Sequence, residues 1–138
     1  MARRPWRMRN LQLSSQFFDK PSQAMMEYMA GLQRYTPELI SFYAPNVNSY
    51  RRLAPDISAP INLSWGFDNR TTAFRVPNSD AANLRIENRF PGVDANPYLA
   101  ITASLASGLL GMRQHFQPTA PHQDTANEDS VRLALTFE

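Results

Sequence analysis

Apolar residues recur along this chain with two different periods, and the switch between them marks the elements. Met25, Met29 and Leu32 stand at i, i+4 and i+7, the spacing that places side chains on one helical face. Asp19 ahead of Lys20-Pro21 supplies a capping carboxylate and a proline tolerated in the first turn. A helix of about three turns is therefore predicted, with the methionines as core filler. Thr36-Pro37-Glu38 predicts a restart as a second short helix through Leu39, Ile40 and Phe42, ended by Pro45. The loop that follows, NVNSYRRLAP at 46–55, is rich in turn formers.

The period then becomes two. Ile61, Leu63, Trp65 and Phe67 alternate with Asn62, Ser64 and Gly66, the mark of a half-buried strand. Asp68-Asn69 predicts a tight turn, because both residues tolerate left-handed backbone. Thr72, Phe74 and Val76 alternate again. A loop through Pro77, Asn78, Ser79 and Asp80 leads to Leu84, Ile86, Asn88 and Phe90. Connections this short predict an antiparallel meander. Trp65, at the strand centre, reads as a core anchor ahead of an adenine platform.

Asp94 and Pro97 open a long helix to about Gln114. Ala100, Ser104, Ser107, Gly108 and Gly111 make it rich in small residues, which permits close packing on a sheet or another helix. The fold class predicted is α+β: an antiparallel sheet segment flanked by the helices at 21–43 and 97–114. Residues 117–138 begin polar and proline-containing and read as a flexible tail. His115 and His122, seven apart in that region, read as surface residues and not as metal ligands.

Composition narrows the class. The 138 residues are 43% hydrophobic and 11% aromatic, a globular balance with enough chain for a core. No apolar run reaches the ~20 residues of a membrane span, and no secretory signal is read. The two Asn-X-Ser/Thr triplets, Asn62-Leu63-Ser64 and Asn69-Arg70-Thr71, are therefore read as chance. Cysteine is absent, which excludes disulfides and thiolate metal sites. A cytoplasmic setting is the expectation. The net charge is only +2, yet Lys20 is the one lysine and every other cation is arginine. Arginine presents a planar fork suited to carboxylates and phosphates. Residues 1–9 carry four arginines and no acid and read as a basic start set apart from the rest.

The third strand candidate holds the chemistry. In LRIENRF, alternation sends Arg85, Glu87 and Arg89 to one face and Leu84, Ile86 and Phe90 to the other. Such a row is also what a solvated face with cross-strand ion pairs looks like. The neighbouring strand shifts the balance, because Arg70 at the turn and Arg75 near its end can lie beside this row. Arg51 and Arg52 come from the preceding loop. Six arginines around one carboxylate repel one another unless anions fill the space. Phosphates, a substrate carboxylate and a divalent metal would fill it. A nucleic-acid-binding module is the other reading, and its binding would weaken steeply with salt. The aromatics Trp65, Phe67 and Phe74 fall on the apolar face, which argues against it.

The strings NVNSYRRLAP (46–55), APINLSWGFDNRTTAFRVP (59–77) and RIENRFPGVDANPYLAITASLASGLLG (85–111) resemble the C-terminal catalytic signature of glutamine synthetases. The resemblance runs from about Asn10 to Met112 and sets a domain at 10–116. WGFDNRTTAFRVP with RIENRFPGVDANPYLA is similar to the gamma-glutamylpolyamine (gamma-glutamylputrescine) synthetase branch. The resemblance implies part of a catalytic barrel, with active sites between neighbouring subunits of a ring. It implies ATP, Mg2+ or Mn2+, and glutamate with an amine or ammonia as substrates, the gamma-carboxylate being phosphorylated before the amine displaces phosphate. By motif position, Arg52 would grip the amino-acid carboxylate. Arg70 and Arg75 would face the ATP phosphates, with Arg70 stabilising the transferring phosphoryl group. Arg85 would lie on the nucleotide side, Glu87 would ligate the metal and Arg89 would hold the gamma-carboxylate.

Two departures follow. Ammonia-using members carry a glutamate where this chain has Ser58, which favours a bulkier, polyamine-like amine. The family's remaining metal-binding glutamates, its small N-terminal β domain and its nucleotide segment lie upstream of the matching region. The chain is accordingly expected to be a fragment, or a truncated remnant, not competent as a ligase alone. Sheet edges and apolar surface left open by missing strands predict marginal stability or self-association.

Overall fold

A computed structural model describes residues 20–54, 59–123 and 126. The basic start, Asp19, Ser58 and most of the tail beyond Gln123 lie outside the described residues. Helix α1 runs Gln23–Tyr43 as a single element, where the sequence predicts a break before Pro37. Met29, Leu32, Thr36 and Tyr43 are all buried, so one apolar face continues straight through the proline. Pro37 itself is exposed; it lacks the N–H of a helical hydrogen bond and its ring opposes the preceding turn, and tertiary burial outweighs that local stop signal. The cap is Ser22, whose hydroxyl accepts from the Met25 amide at 3.2 Å.

A short helix α2, Val47–Tyr50, leads through the arginine pair to the sheet. Strands β1 (Trp65–Phe67), β2 (Phe74–Val76) and β3 (Glu87–Asn88) form a three-stranded sheet in that order. The sheet is mixed, not purely antiparallel. β1 and β2 run parallel, with Trp65 opposite Phe74 and Phe67 opposite Val76, while β3 runs antiparallel to β2. Asp68-Asn69 does not close a hairpin. Asp68 takes φ 44°, and the Asn69 side chain accepts from the amide and hydroxyl of Thr71 at 2.9 and 2.7 Å. Residues 68–73 thereby fold back beside β1. The Ala73 and Phe74 amides donate to the Ser64 carbonyl at 3.0 and 3.1 Å, which starts β2 in the same direction as β1.

Helix α3, Pro97–Arg113, is capped by Asn96, which accepts from the Tyr98 and Leu99 amides. Asp94, predicted to open it, accepts instead from the Ser49 hydroxyl. The small face of α3, with Ala103, Ser107, Gly108 and Gly111, is buried, and it lies against Glu27, Tyr28 and Gly31 of α1. The Tyr28 and Tyr43 hydroxyls converge on Ser104, each at 3.0 Å. Ile101, Leu105 and Leu109 on the other side of α3 remain exposed.

The core sits between these helices and the sheet. Trp65, Tyr43, Phe74, Phe90, Met29 and Leu32 are its largest buried side chains. Phe74 meets Phe90 edge-on at 5.8 Å between ring centroids, a favoured aromatic geometry. The outer edge of β1 is taken by the segment after α3. The His122 amide donates to the Trp65 carbonyl at 2.8 Å, and Trp65 Nε1 donates to the Thr119 carbonyl at 2.7 Å. His115, read from the sequence as a surface residue, is exposed and places Nδ1 3.1 Å from the carboxylate of Glu27. No helix of the described residues is long and apolar enough to cross a membrane.

Candidate functional site

Arg75 and Glu87 stand opposite each other in the β2–β3 register, so both side chains leave the same face of the sheet. Leu84, Ile86 and Asn88 alternate to the inner side, where Asn88 Nδ2 reaches the Ser104 hydroxyl at 3.2 Å. Arg75 Nη1 donates to Glu87 Oε2 at 3.0 Å. Its Nε and Nη2 both donate to Asp68 Oδ1, at 3.2 and 2.5 Å. One guanidinium is thus fixed between two carboxylates, and the bond to Asp68, ahead of that to Glu87, raises its pKa. Asp68 escapes the sequence reading, which gives it a turn role only. Its position in a loop closing back on β2 is set by the parallel pairing.

These residues line an open groove of about 610 Å³ with Pro77, Asn78 and Arg85. Arg85 is tethered through Nη1 to the Asn83 carbonyl at 3.2 Å. Asn83 ends a 3₁₀ turn, Ala81–Asn83, capped by Asp80. The groove therefore carries two guanidinium groups and two carboxylates.

Arg89, on the same face, is half-buried. Its Nη1 donates to the carbonyls of Arg70 and Thr72, the latter at 2.9 Å, tying β3 to the 68–73 loop. Burial pushes its pKa down; Glu87 opposes that shift, and Arg75, Arg70 and Arg52 add to it. Arg89 is therefore within electrostatic range of all four. Arg70 is exposed in the loop between β1 and β2. Arg52 reaches in from the end of α2, where Nη2 donates to the Phe90 carbonyl and Nε is buried with no partner among the described residues. Asp94 lies beside it. The Ser49 hydroxyl first, and Arg52 among lesser causes, hold the Asp94 carboxyl below the usual range.

The fold thus gathers Arg52, Arg70, Arg75, Arg85, Glu87 and Arg89 into one region. Arg51, also a candidate by sequence, is exposed at the C-terminal cap of α2. Among the described residues no group of three or more His, Asp or Glu could hold a metal ion. Glu87 can offer a single carboxylate, and it does so from beside a guanidinium. Chemically, the arrangement can clamp anionic oxygens with Arg75 and Arg85 while offering a carboxylate to their counter-cation.

Comparison with known proteins gives a consistent picture. Residues 7–134 match the family described as glutamine synthetase, catalytic domain. A glutamate–isopropylamine ligase of a Pseudomonas species is 43% identical over 113 residues, 82% of this chain and 25% of that protein. A glutamine synthetase of Methanococcus voltae is 43% identical over 93 residues, 67% of this chain and 21% of that protein. A gamma-glutamylputrescine synthetase of Escherichia coli is 44% identical over 91 residues, 66% of this chain and 19% of that protein. The chain spans a quarter or less of the length of these relatives.

Proposed function

Because the chain belongs to the glutamine synthetase family, matching its catalytic domain, we propose that it contributes the C-terminal part of an ATP-dependent ligase active site. That ligase activates the glutamate gamma-carboxylate as a phosphate and joins it to an amine. A polyamine-like amine is favoured over ammonia because Ser58 stands where the ammonia-using members carry a glutamate; relatives named for amine substrates and relatives named glutamine synthetase both match the chain. The observation that carries the proposal is the Arg75–Glu87 pair, set in a groove shared with Arg85 and Asp68 and neighboured by Arg89, Arg70 and Arg52.

The groove fits a polyphosphate only when a cation comes with it. Arg75 and Arg85 are offset by Asp68 and Glu87, so a bare anion gains no net attraction, whereas a Mg2+ or Mn2+ complex of ATP can meet both signs. When bound, the divalent ion would neutralise phosphate charge, with Glu87 as one of its ligands. Phosphoryl transfer is mostly positioning and charge neutralisation, and the roles divide accordingly. Arg75 and Arg85 orient the phosphates. Arg70, on the loop, faces the transferring phosphoryl group. Arg89, held against the loop carbonyls, takes the gamma-carboxylate by its charge. Arg52 takes the amino-acid carboxylate. Further metal ligands would come from the part of the catalytic domain that relatives carry beyond this length, in a homo-oligomer.

A thermal melt of the chain with Mg-ADP, and with ADP plus chelator, tests the proposal. The midpoint rises with Mg-ADP only, by an amount equivalent to about 2.7 kcal/mol at a hundredfold excess over Kd. The variants R75A and E87A lose that rise. A wild-type midpoint indifferent to Mg-ADP overturns the nucleotide site.

A further inference from the structure

Asp68 has no role in the reading above beyond balancing charge, yet its geometry is specific. It sits at φ 44°, a conformation that Asp and Asn adopt more readily than other side-chain-bearing residues. Its amide donates to the Val76 carbonyl at 2.8 Å, which fixes the loop against β2. From that fixed point Oδ1 takes two of the N–H donors of Arg75, Nε and Nη2, leaving Nη1 for Glu87 at 3.0 Å. The Arg75 side chain is less exposed, at 19%, than either carboxylate, at 43 and 44%. The guanidinium is therefore the sheltered member of the trio.

We propose that Asp68 is a positioning residue for Arg75 and Glu87. It holds the guanidinium by two donors so that Glu87 can leave its single bond for a divalent cation without Arg75 following. The proposal rests on the nucleotide-site reading. Without Asp68, Arg75 has one carboxylate left, and it turns all its donors to Glu87. A guanidinium engaged in that way competes with the cation for the same oxygens. Asp68 thus sets the cation affinity of Glu87 without touching the cation, as an outer partner of a ligand does. An arginine bound at Nε and Nη2 also has its rotation about the Nε–Cζ bond locked, and that property exists in the unliganded chain.

The test uses two readouts on the chain as it is. One is guanidinium rotation of Arg75 by NMR, with exposed Arg34 as the internal reference. The other is Mn2+ binding in the presence of ADP, followed by loss of the free Mn2+ resonance. The variants are D68N, which keeps the shape and the tolerance of positive φ, and D68E, which keeps the charge. Slow rotation at Arg75 in the wild type and fast rotation in D68N are expected. With it, D68N weakens Mn2+-ADP binding about tenfold, and D68E recovers part of the loss. A merely structural role would shift the melting point of D68N and leave Mn2+ affinity unchanged, which overturns the proposal. Wild-type rotation at Arg75 as fast as at Arg34 overturns it whatever the nucleotide does. Slow rotation with no Mn2+-ADP binding by the wild type overturns the nucleotide reading, and the positioning role with it.

Discussion

A methyl group placed on Gly31 would lie 2.1 Å from the carbonyl oxygen of Ser107. Helices α1 and α3 touch there through backbone, and the atom in the way cannot swing aside as a side chain could. On the facing helix, a Cβ at Gly111 would meet the Glu27 carbonyl at 2.3 Å. Each contact requires the helices to part, so G31A and G111A should each lose about 1–3 kcal/mol, read from urea midpoints. At Gly108 the nearest atoms belong to the Tyr28 ring. If G31A is as stable as the wild type, the helices do not meet in this way.

The small-residue face of α3 is legible in the sequence, because Ala103, Ser107 and Gly111 recur at helical spacing. So is the split of Arg85 and Glu87 from Leu84 and Ile86, because the pleat enforces alternation. The direction of β2 is not legible. Asp68-Asn69 carries equally good signals for a hairpin and for a longer loop, and the choice is made by Asn69 bonding forward to Thr71. The continuity of α1 through Pro37 is hidden for a similar reason: a local stop signal is plain, while burial of Thr36 and Tyr43 on one face depends on what packs against them. Asp68 meets Arg75, seven residues on, only because β1 and β2 pair in parallel, and Glu27 with His115 is a contact between distant residues that no local spacing encodes.

Gln33 anchors the segment after α3. Its Nε2 donates to the Leu63 carbonyl at 2.6 Å and to the Thr119 hydroxyl at 2.9 Å, and its Oε1 accepts from the Thr119 amide at 3.1 Å. Q33L keeps the bulk and removes all three bonds, leaving partly buried backbone groups unpaired. The expected loss is about 2–3 kcal/mol. Hydrogen exchange should rise at the His122 amide, which bonds to Trp65. Unchanged exchange at His122 would show that β1 holds the segment without Gln33.

Arg89 joins β3 to the loop carrying Arg70 by two bonds from one nitrogen. A lysine ammonium is more strongly hydrated than a guanidinium and its stem is shorter, so R89K keeps the charge and weakens both bonds. A stability loss of about 1–2 kcal/mol is expected, together with a smaller Mg-ADP shift, because the Arg70 loop loses its tether. A variant destabilised to this extent but shifted by Mg-ADP as much as the wild type would separate Arg70 from the nucleotide.

Glu27 makes acid sensitivity specific. It is buried on α1, accepts from Gln23 Nε2 at 2.8 Å and meets His115 Nδ1 at 3.1 Å. The bond from His115 first, and that from Gln23 second, hold its carboxyl below the ordinary glutamate value of 4.5, against an opposing push from burial. A carboxyl depressed in the folded state binds fewer protons folded than unfolded. Its contribution is therefore complete above the unfolded value and is lost as pH falls through the folded one. Wild-type urea midpoints should fall as pH drops below 4.5. E27Q, which has no proton to take up here, should show a shallower fall. H115A should lie between, because Gln23 still donates. Asp94, held down chiefly by Ser49, contributes the same background to all three proteins. Equal slopes for wild type and E27Q would mean that the bond between the end of α3 and the start of α1 does not set the acid limit of the fold.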